Sequence, residues 1–237
     1  MPSGKKRKNP GSQMFEPLPE TLQLGTRVYH ALLNSIVSGQ IESGAPLRPD
    51  VIARQLDVST TPVREAMHRL ENDGLAVKLP YQGWFVPDLT EQQIRELYEC
   101  RSALECFSVR LACQRIGDEE VAWLHRHHST GEAALAAGDM DAYRIYNRDF
   151  HGAILKAASN SYLTSLMGQL RLQSEMLIAR TVRIIGRPVR AIEEHHCLTG
   201  LIEKRDAEGA KRSMEHHILS ALEDILRWGR ESKEKPS

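Results

Sequence analysis

Residues 50–74 read DVIARQLDVSTTPVREAMHRLENDG, and the fold follows from how this stretch is punctuated. Val51, Ile52 and Leu56 form a short helical pattern that runs into the polar turn Asp57-Val58-Ser59-Thr60-Thr61-Pro62. A second helical pattern starts at once. It carries Val63, Ala66, Met67 and Leu70 on one face, and Gly74 stands just past its end, where a helix stop belongs. Two helices about four residues apart, the second with a polar N-terminus, are the sequence form of a helix-turn-helix, here at about residues 50–69. In that motif the second helix enters the DNA major groove and its N-terminal side chains meet base edges.

The neighbouring segments complete a small domain. Leu24, Val28, Leu32, Ser35 and Ile36 predict a helix over residues 22–38, which Gly39 ends. Residues 40–48 read as a turn-rich connector. After Gly74, Leu75–Leu79 reads as a strand, Pro80-Tyr81-Gln82-Gly83 as a turn, and Trp84–Val86 as a returning strand. Three helices and a hairpin make a winged helix over residues 21–89, with Gln82 and Gly83 at the tip of the wing. Ser59, Thr60 and Thr61 offer hydroxyls at the reader helix N-terminus, where backbone N–H groups attract phosphate. Arg64 lies one turn along and reaches a guanine edge or a phosphate. Arg54, on the preceding helix, joins these residues, Gln82 and Gly83 as the expected DNA-contacting set. The bland alternative is that Ser/Thr-Thr-Pro-x-x-Glu simply caps a helix well.

From Thr90 the pattern changes to helices alone, at about 90–116, 118–137, 139–158, 161–184, 188–204 and 206–230. Thr90, Asp139 and Asp206 stand at positions suited to capping. Short connections between helices of this length imply antiparallel neighbours in a bundle. The expected fold is mainly α: an N-terminal winged helix-turn-helix, then an all-α antiparallel bundle over residues 90–232 and a tail at 233–237. Residues 1–20, with Lys5-Lys6-Arg7-Lys8 and four prolines, read as a disordered basic arm. It is either a solvated tail or a phosphate contact.

Bulk charge gives no help, since the 237 residues carry 31 basic and 31 acidic side chains. Any positive field must come from where the charges sit. Four cysteines form no C-x-x-C, and Cys100, Cys106 and Cys113 fall in one helix as small hydrophobes. No stretch approaches the roughly 18–20 apolar residues that a membrane span needs. The basic cluster is not followed by an apolar run, so no signal peptide is expected. A cytoplasmic location is the expectation.

Chemistry concentrates in the bundle. Asn147 and His151 are four apart and share a helix face, while His195 and His217 fall on two later helices. Three helices can bring these side chains to one point. Neutral imidazoles are the commonest ligands for zinc, nickel and similar ions, and an amide oxygen completes such a set. The competing reading is that each histidine is simply hydrogen-bonded. His125, His127, His128, His196 and His216 are read as solvated or structural. Arg101 is either a surface residue or a buried carboxylate clamp.

These strings resemble GntR-type transcription regulators of the FadR-like branch, whose effector domain is called FCD. The resemblance spans about residues 22–232. It rests on Ser38-Gly39-Gln40-Ile41, Leu56-Asp57-Val58-Ser59, Thr61-Pro62-Val63-Arg64-Glu65-Ala66, Arg69-Leu70-Glu71 and Asp73-Gly74-Leu75. Beyond the hairpin it rests on Arg101-x-x-x-Glu105, Phe150-His151-x-x-Ile154, Asn160, Glu194-His195, Asp206-x-x-x-Ala210 and His217. The resemblance implies a homodimer on an inverted-repeat operator and a small carboxylate effector. It also implies one divalent ion per subunit, zinc or nickel, held by Asn147, His151, His195 and His217, with Arg101 as an effector-binding residue. Two departures stand out: Thr60 occupies a place where the family usually has a base-reading arginine, and Asn147 stands where many members have aspartate.

The expected function is a ligand-responsive DNA-binding transcription regulator, a repressor released or retuned by a small organic acid at a metal-containing pocket. The alternative is a metal-dependent enzyme with an accessory DNA-binding domain. No catalytic string such as H-E-x-x-H supports it, and Glu194 is expected to point away from its neighbour His195.

Overall fold

The computed structural model describes residues 22–182 and 184–234. The basic arm at residues 1–20 and the last three residues of the tail lie outside the described residues. The first domain begins with α1 (Leu22–Val37), whose Val28, Tyr29, Leu32 and Ile36 are buried. Two residues, Pro46–Leu47, form β1. Then come α2 (Pro49–Gln55) and α3 (Thr60–Asn72). The wing is β2 (Val77–Leu79) and β3 (Gly83–Phe85), paired antiparallel with Val77 opposite Phe85. The sheet order is β1-β3-β2. Strand β1 lies within the segment read as a connector, because two residues are too short to show a period.

Helix α3 buries Val63, Ala66, Met67 and Leu70 completely, which are the four residues its pattern put on one face. Leu24 and Leu56, counted among the apolar positions, are instead 37% and 39% exposed. Tyr29 ties α1 to the end of α3: its hydroxyl donates to Asp73 at 2.5 Å. Burial, reinforced by that carboxylate, pushes its pKa up to about 12. In the turn between α2 and α3 the chain takes a left-handed φ of 52° at Asp57.

The bundle comprises α4 (Glu91–Arg115), α5 (Asp118–Ala137), α6 (Met140–Ala157), α7 (Ser161–Thr181), α8 (Arg187–Glu203) and α9 (Ala207–Glu234). Its helix starts are specified locally. Thr90 and Gln93 form a reciprocal capping box, Asp139 accepts from the Ala142 N–H at 2.9 Å, and Asp206 accepts from the Gly209 N–H at 2.9 Å. Tyr98, Val109, Leu124, Phe150, Ile154, Leu177, Leu198 and Ile218 fill the core. Cys106 and Cys113 are buried there, but Cys100 is exposed, so the reading of three buried cysteines holds for two. Among the described residues no helix is long and apolar enough to cross a membrane.

Helix α7 belongs to both parts of the molecule. Its Leu172 and Met176 are buried in the winged-helix core. Gln173 Nε2 donates to the Gly74 carbonyl at 3.3 Å, and Arg180 bonds Ser43 and pairs with Asp88 at 3.7 Å. Gly74 has a φ of 72°, and a Cβ there would meet Gln173, so glycine is needed both for the turn and for this close approach.

Candidate functional site

The bundle brings His151 of α6, His195 of α8 and His217 of α9 to one point, with ligand atoms all within 4.8 Å of one another. His217 Nε2 lies 3.4 Å from His195 Nε2 and 3.3 Å from His151 Nε2. Each ring is held from its far side. His151 Nδ1 donates to Glu105 Oε2 at 2.5 Å, and His217 Nδ1 donates to Glu194 Oε2 at 2.5 Å. An ionised carboxylate only accepts, so both Nδ1 atoms carry a proton, which makes Nε2 the ligand atom of the neutral ring.

His195 has a neutral counterpart of the same support. The Tyr146 hydroxyl lies 3.0 Å from His195 Nδ1 and 3.0 Å from His128 Nδ1, and His128 Nε2 lies 2.9 Å from Thr199 Oγ1. Two proton orders satisfy this chain, and the one that leaves a lone pair on His195 Nε2 runs from His195 to Tyr146, Tyr146 to His128, and His128 to Thr199. Tyr146 reaches this place because α5 offers Gly131, where a Cβ would sit 2.6 Å from the tyrosine ring. Phe150 stacks on His195 with ring centroids 4.0 Å apart.

Burial holds His195 well below its usual pKa, with the neighbouring imidazoles adding to the effect. Burial also lowers His217 to about 4, against an upward pull from Glu194. Burial alone would raise Glu105, but Arg101 and His151 hold it far below the carboxylate range. Glu194 is lowered in the same way by His217 and Arg187.

The donor set fits a divalent ion. Three imidazole rings bring a ligand nitrogen to one point, and the carboxylates behind His151 and His217 turn their Nε2 atoms toward it. Zinc–nitrogen bonds of about 2.0–2.1 Å in a tetrahedron place nitrogens roughly 3.4 Å apart, close to the spacing found here. Carboxylates behind metal-binding histidines fix the tautomer and ring orientation.

A cavity of about 20 Å³ adjoins this centre, lined by Tyr98, Arg101, Asn147, Arg187 and His217, with Ile178, Thr181 and Val182 of α7 as one wall. Asn147 is 7% exposed and its amide has no hydrogen-bond partner among the described residues. It also lines a second cavity of about 350 Å³ between α6, α7 and the end of α1. Arg101 is 4% exposed, which settles its placement as buried; its Nε donates to Glu105 Oε1 at 2.5 Å.

Sequence reasoning missed five supports of this site. Glu194 does not point away: it holds His217 from the neighbouring helix, because a residue beside an inward-facing one can still reach a different partner. Arg187, at the start of α8, is 3% exposed and donates to both Glu194 oxygens at 3.0 and 2.9 Å and to the His217 carbonyl at 3.2 Å. Glu105 was visible only as the second residue of an Arg-x-x-x-Glu pair. Tyr146 and His128 carry no spacing signal, although His128 was rightly read as structural.

The second candidate surface is the start of α3. Ser59 is its N-cap but makes no capping bond. Pro62 at the third helical position has no N–H to donate, which removes one of the two usual capping partners. The well-capped-helix alternative therefore lacks its bond, and the hydroxyl is left to face outward. Ser59, Thr60, Thr61 and Arg64 are exposed, as is Gln82 on the wing. Gly83 has a φ of 96° and Tyr81 one of 62°, so the wing tip turns through two left-handed residues. Arg54 is also exposed but pairs with Asp50 at 3.6 Å.

Comparison with known proteins identifies both domains. Residues 24–86 match the model of bacterial regulatory proteins of the gntR family, and residues 96–220 match the FCD domain. The chain is 27% identical over 226 residues to the uncharacterized HTH-type transcriptional regulator YdhC of Bacillus subtilis, covering 93% of this chain and 98% of that one. It is 30% identical over 187 residues to the gluconate operon transcriptional repressor of Bacillus subtilis, covering 77% and 76%. Among solved structures, Escherichia coli McbR/YncC superposes with a TM-score of 0.75 at 25% identity, over 87% of this chain and 98% of that one. With a winged helix-turn-helix joined to an FCD domain, the chain belongs to the GntR family of DNA-binding transcription regulators and is not an enzyme.

Proposed function

We propose that the chain is a dimeric repressor that binds an inverted-repeat operator and is released, or retuned, when a short organic acid binds beside a metal ion in the bundle. On this reading it acts in the cytoplasm, where the operator is. The observation that carries the metal is the convergence of three Nε2 atoms whose rings are each held from behind by Glu105, Tyr146 or Glu194. His151, His195 and His217 would hold one divalent ion, zinc or nickel by ligand type, with Asn147 as a candidate fourth donor. An ion there would supply a positive centre for an anionic ligand. Arg101 would add a charge-assisted bond to the carboxylate.

Repression is supported by the role of a relative, the gluconate operon transcriptional repressor of Bacillus subtilis. DNA contact is assigned to Ser59, Thr60, Thr61 and Arg64 on α3, Arg54 on α2, and Gln82 and Gly83 on the wing. Thr60 can meet a thymine methyl or accept a single hydrogen bond, but it cannot make the bidentate guanine contact of arginine. The half-site should differ accordingly from that of relatives with arginine there.

The coupling route is α7. Its residues Ile178, Thr181 and Val182 wall the small cavity, while Leu172, Gln173, Met176 and Arg180 grip the winged helix. A ligand that pushes this wall changes the seating of the reader. Two readers must match half-sites about one helical turn apart, so a small rotation is enough to lower affinity.

Metal analysis of the purified protein tests the site. The wild type is expected to hold about one divalent ion per subunit, and the His195→Ala/His217→Ala double variant none. Equal and negligible metal in both would remove the metal from the account.

A further inference from the structure

Among the described residues, Tyr98 carries the one buried side-chain polar atom without a hydrogen-bond partner. The residue is 0% exposed on α4 and lines the small cavity with Arg101, Asn147, Arg187 and His217. Buried hydroxyls without a partner are costly and uncommon, and those that persist call for a reason. Burial pushes its pKa up, so the hydroxyl keeps its proton. That proton needs an acceptor. The guanidinium of Arg101, 5.5 Å from the Tyr98 ring centroid, carries donors only. Arg101 uses its Nε on Glu105 Oε1 and lines the same cavity as Tyr98. One cavity therefore holds a buried phenolic donor in want of an oxygen, beside a guanidinium that can offer it none.

We propose that Tyr98 is the second anchor of the effector: one carboxylate oxygen accepts from the Tyr98 hydroxyl and the other from the Nη groups of Arg101. The inference deepens the acid-binding reading above and rests on it. It narrows the ligand to a short acid with an unhindered carboxylate. The cavity, at about 20 Å³, has room for about one water. A carboxylate enters only as the α7 wall yields, so filling the Tyr98–Arg101 pair and moving the helix that grips the winged helix become one event.

The test is Tyr98→Phe, which deletes the donor and keeps the ring. Thermal shift and calorimetric titration are run on the full chain with the sodium salts of acetate, glycolate, malate and citrate, alongside metal analysis. The expected result is a melting temperature no lower than wild type, unchanged metal content, and a loss of at least tenfold in affinity for whichever acid binds the wild type. Affinity within twofold of wild type overturns the proposal, as does a lower melting temperature with unchanged acid affinity, which marks Tyr98 as structural. If the variant does not fold, 3-fluorotyrosine placed at residue 98 reports instead, since acid contact shifts its fluorine resonance and no shift overturns the contact. Failure of all four acids to bind the wild type sinks the acid-binding reading and this inference together, whereas binding to wild type and variant alike sinks this inference alone.

Discussion

Glu194 shows how much one side chain settles in this site. It accepts a hydrogen bond from His217 Nδ1 at 2.5 Å and is itself clamped by Arg187 at 3.0 and 2.9 Å. Replacing it by glutamine keeps the shape but removes the charge that fixes the His217 tautomer. Metal affinity, read by competition with a chromophoric chelator, should fall about 10–100-fold. An unchanged affinity would mean that the ring is held by packing alone. Acidity bears on the same residues. Burial lowers His128 and His217 from 6.5 to about 4. The unfolded chain takes up these protons near the usual value, and the folded chain resists them until the lower one. Stability from both groups is then complete above about pH 6.5 and lost as pH falls toward 4, with an order of magnitude of 3 kcal/mol for each. Urea denaturation of the metal-free protein between pH 7 and 4 should show this slope, and His128→Gln should reduce it. At this scale the sequence was partly legible. The three histidines could be picked out because a shared fold position left them at recognisable places in the chain. Glu194, Arg187 and Tyr146 could not, because they act across helices and side-chain direction is not readable from spacing alone.

At the scale of elements, helix limits were read closely because their punctuation is local. Thr90 with Gln93, Asp139, Gly138 and Asn160 each act within four residues of themselves. Strand β1 escaped because its only signal is pairing, Leu47 opposite Trp84, and pairing is not local. The role of α7 was equally hidden. Its sequence reads as one bundle helix among six, and only the burial of Leu172 and Met176 in the other domain shows that it serves two cores. A consequence can be measured. Gln173→Ala with Arg180→Ala removes the polar grip on Gly74, Ser43 and Asp88 but leaves the metal site untouched. The variant should retain metal and acid binding by calorimetry, yet lose most of the acid effect on DNA affinity. A full acid response would remove α7 as the coupling route.

For the whole molecule, the central claim is that metal, acid and DNA are linked: the acid acts on the reader only through the ion-bearing bundle. The fold and the regulator class were legible because the helix-turn-helix and the six-helix bundle have strong periodic signals. The linkage was not, because it depends on where two domains touch. The most direct measurement begins by selecting DNA from a random-sequence pool with the full chain. Affinity for the winning sequence is then followed by fluorescence anisotropy against increasing acid, before and after chelation of the metal, with Arg64→Ala as the control for specific reading. The predicted result is at least a tenfold loss of affinity with acid for the metal-loaded protein, and little or no response once the metal is stripped. An equal acid response with and without metal, or none in either state, would contradict the claim.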